Sequence, residues 1–232
     1  MVKLGWIERG SSPSEQMRKL LSFFGIASPD QWESLFELPQ ASFRHSKAFE
    51  SDPGALAAWL RRGQIQANKV ASSDYDAQRF REVLTQARKL TRFAPRAFVP
   101  RLQEACSEAG VIVVFVPALA KARVSGATRW LEPQRALIQL SLRYKTDDQL
   151  WFSFFHEAAH ILLHKKRAVF IDSLKKEAVS DEELEADRFA AEADAVWPAE
   201  RQAPAQAQPQ GPDPGGQGAP GRPGHRGPLV TM

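Results

Sequence analysis

The chain has 232 residues, enough to bury a sizeable core, and its 43% hydrophobic and 25% charged residues are those of an ordinary soluble globular protein. Its net charge of +4 is scattered rather than gathered in blocks, so it permits an acidic partner without demanding one. A single cysteine, Cys106, excludes an intrachain disulfide.

The first residues, "MVKLGWIERGSSPSEQ", contain no apolar core region and no small-residue cleavage site, which argues against a secretory signal. Helical punctuation then begins. "SPSEQMRKLLSFFG" has a Ser–Pro start with a glutamate in the first turn and an apolar stripe that stops at Gly25. "SPDQWESLFE" repeats the start signal, and "DPGALAAWLRRGQ" and "YDAQRFREVLTQARKLTR" add two amphipathic segments, the second with Phe80, Leu84, Ala87 and Leu90 at helical spacing. Trp32, Phe36, Trp59 and Phe80 read as core aromatics. A helix–turn–helix around "LLSFFGIASPDQW" would put aromatics where base-reading polar side chains are required, so direct nucleic-acid contact is not expected.

From about residue 97 the pattern changes. The helix "FVPRLQEACSEAG" carries Cys106 on its apolar side, as a buried inert thiol, and runs into the β-branched strand "VIVVFVP". The ten-residue stretch 111–120 that contains this strand is about half the ~20 residues of a membrane helix and is interrupted by Pro117, so the chain reads as cytoplasmic. "ATRWLEP" and "RALIQLSL" form a hairpin about a Glu–Pro turn. "TDDQLWFSFFHEAAHILLH" is a helix with Thr146 as cap and Asp147 and Asp148 in its first turn; "AVFIDS" is extended; "SDEELEADRFAAEAD" is a helix capped by Ser180. Residues 198–232 hold eight prolines, seven glycines and no aromatic, a composition expected to be disordered. The implied organisation is a helical region over 1–95, a second domain over 96–197 and a tail over 198–232.

Three of the five histidines fall in "HEAAHILLH". His156 and His160 stand one helical turn apart on one face, which suits two imidazole ligands to one metal ion, and Glu157 can take a proton from a water held there. The flanking residues are uncharged, so the helix is buried, and two unpaired imidazoles and a carboxylate in such a place would be costly. A metal removes that cost. His164 continues the ladder but lies ~12 Å along the helix from His156, too far to share one ion, and is assigned to packing or to support of the ligands. A third ligand is sought in "EELEADRFAAE". Glu183 shares its face with Ala186, Asp187 and Ala190, where small side chains allow close approach and Asp187 can orient a histidine; Glu185, on a more solvated face, is the alternative.

"GATRWL", "LIQLSLRYKTDDQLWFSFFHEAAHILLH" and "EELEADRFA" together resemble the ImmA/IrrE family of zinc metallopeptidases, most specifically from residue 125 onward. The resemblance implies an α+β fold: a helical N-terminal region followed by a zincin-like domain whose small, mainly antiparallel sheet packs on the HExxH helix. It implies one zinc ion on His156, His160 and Glu183, with Glu157 as catalytic base. It also implies a protein substrate, a Cro/repressor-like transcription factor or an antitoxin. The chain departs from longer relatives in two respects. It starts as if just after their helix–turn–helix domain, and the apolar stretch that follows their second motif is replaced by "EADAVWPAERQAPAQ" and the tail, which resembles a GC-rich gene read in a shifted frame. Such a shift would leave the wall behind the zinc helix incomplete and compromise activity. The expected reaction is hydrolysis of an extended peptide lying along a sheet edge formed by 136–142. The rival expectation is a non-catalytic, antitoxin-type regulatory module that uses the same fold for binding.

Overall fold

The computed structural model describes residues 1–31, 52–141, 147–164, 170–173 and 181–195. Most of the segment "SPDQWESLFE" with Trp32 and Phe36, the caps Thr146 and Ser180, the first two residues of "AVFIDS" and the tail 198–232 lie outside the described residues.

After a 3-10 turn at Val2–Leu4, helix α1 spans Pro13–Phe24. The Ser12 hydroxyl accepts the Glu15 N–H at 3.2 Å, and the Glu15 carboxylate accepts the Ser11 N–H at 2.7 Å, so the exposed donors of the first turn are satisfied locally. Helix α2 (Pro53–Ala67) starts on Asp52, whose carboxylate accepts the Ala55 N–H at 2.8 Å, and α3 (Ala77–Leu90) starts on Asp76 in the same manner. Helix α4 covers Pro95–Glu108 and delivers the chain to strand β1, Val111–Phe115. Strands β2 (Val124–Glu132) and β3 (Arg135–Leu140) are the expected hairpin. Helix α5 (Asp147–Leu163), strand β4 (Phe170–Ser173) and helix α6 (Asp181–Ala195) complete the order.

The four strands make one mixed sheet in the order β1-β3-β2-β4. β1 runs parallel to β3, and the other two pairings are antiparallel. This corrects one expectation: 136–142 does not form an edge. Over Arg135–Leu140 the strand is paired on both sides, with β1 and with β2, because the crossover after β1 returns the chain beyond its neighbour. Among the described residues the edges belong to β1 and β4.

Period-two alternation divides the sheet's side chains between two cores. Val111, Val113, Ala136, Ile138 and Leu140 join Phe80 and Leu84 of α3, Phe98 and Leu102 of α4, and Trp151 and Phe154 of α5. Ile112, Val114, Ala127 and Leu137 join Leu56, Trp59 and Leu60 of α2 on the opposite face. The Trp59 indole N–H donates to the Val116 carbonyl at 2.9 Å, which satisfies the ring's polar atom inside the second core. The Arg135 guanidinium donates to the carbonyls of Ala67, the last residue of α2, and of Val70 just beyond it, at 2.8 and 2.7 Å, which ties the end of the helix to β3. Cys106 is fully buried in the first core, and burial raises its thiol pKa, so it is inert packing.

Helix α5 is the centre of the arrangement. Residues 153–161 are all buried, with the sheet on one side and α6 on the other. Such a helix has no solvated face, and its polar residues must find partners in protein. No helix among the described residues is long and apolar enough to cross a membrane.

Candidate metal centre

A four-residue step along α5 stacks His156 and His160 on the side facing α6. Their Nε2 atoms converge to 3.1 Å, and both residues are 1% exposed. Helix α6 can approach closely because Ala186, Ala190 and Ala193 line its buried face. That approach brings the Glu183 carboxylate, in the first turn of α6, to the same point. Its Oε2 lies 3.3 Å from His156 Nε2 and its Oε1 3.6 Å from His160 Nε2. Glu185 does not join them; it lies on the exposed side of α6, 3.3 Å from His164 Nε2.

The three donors fit a metal ion. Two nitrogens and a carboxylate oxygen bonded at ~2.0–2.1 Å in a tetrahedral arrangement would stand about 3.3 Å from one another, close to the 3.1, 3.3 and 3.6 Å found here, the last two to different oxygens of Glu183. His156, His160 and Glu183 form a group able to hold a metal ion, with their ligating atoms all within 4.8 Å. The electrostatics agree. Burial, reinforced by the neighbouring His156 and His160's other neighbour His164, pulls the His160 pKa from 6.5 down to about 2, so the ring is neutral and its nitrogen lone pair is available for coordination. His156 is held by Asp187, whose Oδ1 lies 3.1 Å from Nδ1; this contact leaves Nε2 as the converging atom.

Glu157 follows His156 and is turned about 100° around the helix, so it faces β2 rather than α6. It is 0% exposed. The Thr128 hydroxyl lies 2.6 Å from its Oε2 and 3.0 Å from its backbone carbonyl. Gly126 makes this possible, because a Cβ at that position would collide with the Glu157 carboxylate. Sequence reasoning missed both residues. They stand within "GATRWL", and a glycine inside a strand is a signal for a close approach, but nothing in the sequence identifies what approaches.

Residues 106–193 match the family model of the IrrE N-terminal-like domain, peptidase family M78. This segment belongs to that family. The IrrE-like domain begins near the end of α4 and ends near the end of α6, so it takes in the whole sheet and all of His156, Glu157, His160, Glu183 and Asp187. Its fold is metallopeptidase-like, and the helices α1 to α3 stand outside the matched segment. No curated protein and no solved structure matched the chain.

Proposed function

We propose that the chain is a cytoplasmic, zinc-dependent endopeptidase whose substrate is a helix–turn–helix repressor or an antitoxin. One observation carries the reading. Two histidines and a fully buried carboxylate stand on adjacent turns of α5, and the Glu183 carboxylate of α6 completes a two-histidine, one-carboxylate donor set with them, inside a peptidase-family domain. A structural metal site has no use for the Glu157 carboxylate, which is expensive to bury.

His156, His160 and Glu183 would hold the ion, leaving a position for substrate as catalytic sites do. Zinc supplies Lewis-acid polarisation of the scissile carbonyl when bound. The remaining work falls to the chain's own groups. Asp187 keeps the His156 ring in one orientation by accepting its Nδ1–H. Thr128 holds the Glu157 carboxylate against β2, so the base is positioned before substrate arrives. Glu157 then accepts a proton from the attacking water and returns it to the amine that leaves. An extended substrate finds its place along β4, the edge strand that packs beside α5. The repressor or antitoxin as substrate rests on the resemblance in the HExxH and E-x-x-A-D motifs.

The test is Glu157→Gln in the full chain. The variant should fold and bind one zinc ion, while cleavage of a co-incubated repressor falls by roughly 10²–10⁴-fold. A zinc-loaded Glu157→Gln protein that relieves repression as well as wild type would defeat the peptidase reading and leave a binding module.

A further inference from the structure

His164 ends the four-residue ladder, and the reaction proposed above makes no use of it. Its side chain is only 5% exposed. Its Nδ1 lies 2.8 Å from His160 Nδ1, and its Nε2 lies 3.3 Å from Glu185 Oε2. We propose that His164 and Glu185 form a hydrogen-bonded pair that positions His160, as Asp187 alone positions His156.

This pairing rests on the ligand set proposed above, in which His160 presents Nε2 to the ion. A neutral imidazole with its lone pair on Nε2 carries its hydrogen on Nδ1. That N–H points at His164 Nδ1, which must therefore be an acceptor. His164 then carries its own hydrogen on Nε2, the atom that faces the Glu185 carboxylate, an acceptor in its ionised form. Every link has one donor and one acceptor, and the chain runs in one direction only: His160 Nδ1–H to His164, His164 Nε2–H to Glu185. The reverse tautomer at His164 would set two N–H groups against each other at 2.8 Å.

Helix geometry explains why two residues are needed where His156 uses one. His160 lies one turn further along α5, about 6 Å from His156. The carboxylate that α6 offers there, Glu185, pairs with the next histidine along α5 rather than with His160. His164 spans the difference. Both ligand rings thus end on carboxylates of α6, one directly and one through a second imidazole. The pair makes His164 and Glu185 positioning residues, acting on the metal through His160.

The experiment measures zinc affinity of the full chain by chelator competition, together with the histidine tautomers of the zinc-loaded protein by ¹⁵N-imidazole NMR. His164→Phe keeps an apolar ring but removes the acceptor, and should weaken zinc binding by roughly 10–100-fold with one ion still bound. His164→Gln offers an acceptor and a donor again and should recover most of that loss, which a packing role would not require. Glu185→Gln should give the smallest loss. His164 should be the Nε2–H tautomer and His160 the Nδ1–H tautomer. Wild-type affinity in His164→Phe, or an Nδ1–H tautomer at His164, overturns the proposal while leaving the ligand set standing. A wild type that binds no zinc overturns the ligand set and this pair's role with it. Should His164→Phe fail to fold, the wild-type tautomers and Glu185→Gln decide.

Discussion

Each face of the sheet buries one polar side chain against a glycine, and the two cases differ in kind. On the α2 face, Gln139 projects from β3 toward Gly63; its Nε2 donates to the Trp59 carbonyl at 2.6 Å. On the α5 face, Glu157 projects from the helix toward Gly126 of β2 and meets Thr128. The first group is a neutral amide that ties a helix carbonyl to the sheet. Its Oε1 is buried with no hydrogen-bond partner, but an uncharged amide still costs less to bury than a carboxylate. The second is a carboxylate, and its burial is costly whether it stays charged or takes up a proton. Similar steric devices, a glycine making room for a side chain from the opposing layer, therefore serve packing on one face and, in the proposed function, chemistry on the other. The identity of the buried group tells them apart.

Exchanging the groups would test the comparison most severely. Gln139→Glu puts a carboxylate on the packing face, where nothing requires one, and should lower stability by about 2–4 kcal/mol at pH 7 by chemical denaturation. A neutral result would show that the α2 face tolerates a charge, and the contrast would collapse. A methyl group at either glycine should come next. Gly63→Ala and Gly126→Ala each force a buried side chain from its place, at about 1–3 kcal/mol. Only Gly126→Ala should also abolish the proposed peptidase activity, because only there is the displaced group the proposed base. Equal activity in the two variants would break the distinction.

A smaller effect should follow from Thr128→Val, which keeps the shape and removes the hydroxyl. Its expected cost is about 1–2 kcal/mol of stability, with a lowered turnover and an unchanged zinc stoichiometry. The smallest expected effect is a pH dependence confined to the α5 side. Burial holds His160 neutral in the metal-free fold, with a pKa pulled from 6.5 down to about 2, while in the unfolded chain it protonates near 6.5. The unfolded state therefore binds the extra proton as pH falls. Stability is fully present above about pH 6.5 and declines below it, by about 1 kcal/mol between pH 6.5 and 5.5. His160→Gln should flatten that slope in urea titrations of the metal-free protein, whereas substitutions at Gln139 should not.

The sequence by itself determined whatever depends on neighbours along the chain. His156, Glu157 and His160 sit at helical spacing in an uncharged stretch, and α1, α2, α3 and α6 begin at or beside the Ser–Pro, Asp and Ser–Asp signals that precede them. Glu183 was legible for a similar reason: its helical face is lined with alanine, and small side chains are what a close helix contact requires. The order of the strands was not legible. Both β1 and β3 are short apolar runs buried on both faces, and such runs do not reveal which of them lies at the edge. Nor was the partner of each buried polar group. Thr128 meets Glu157 across 29 positions, Gln139 meets Trp59 across 80, and His164 meets Glu185 across 21. These pairings exist only when a strand, a helix or a second helix is laid against its neighbour. Side-chain spacing follows from local backbone geometry, but the partner of a buried atom is decided by which element the hydrophobic core presses against it.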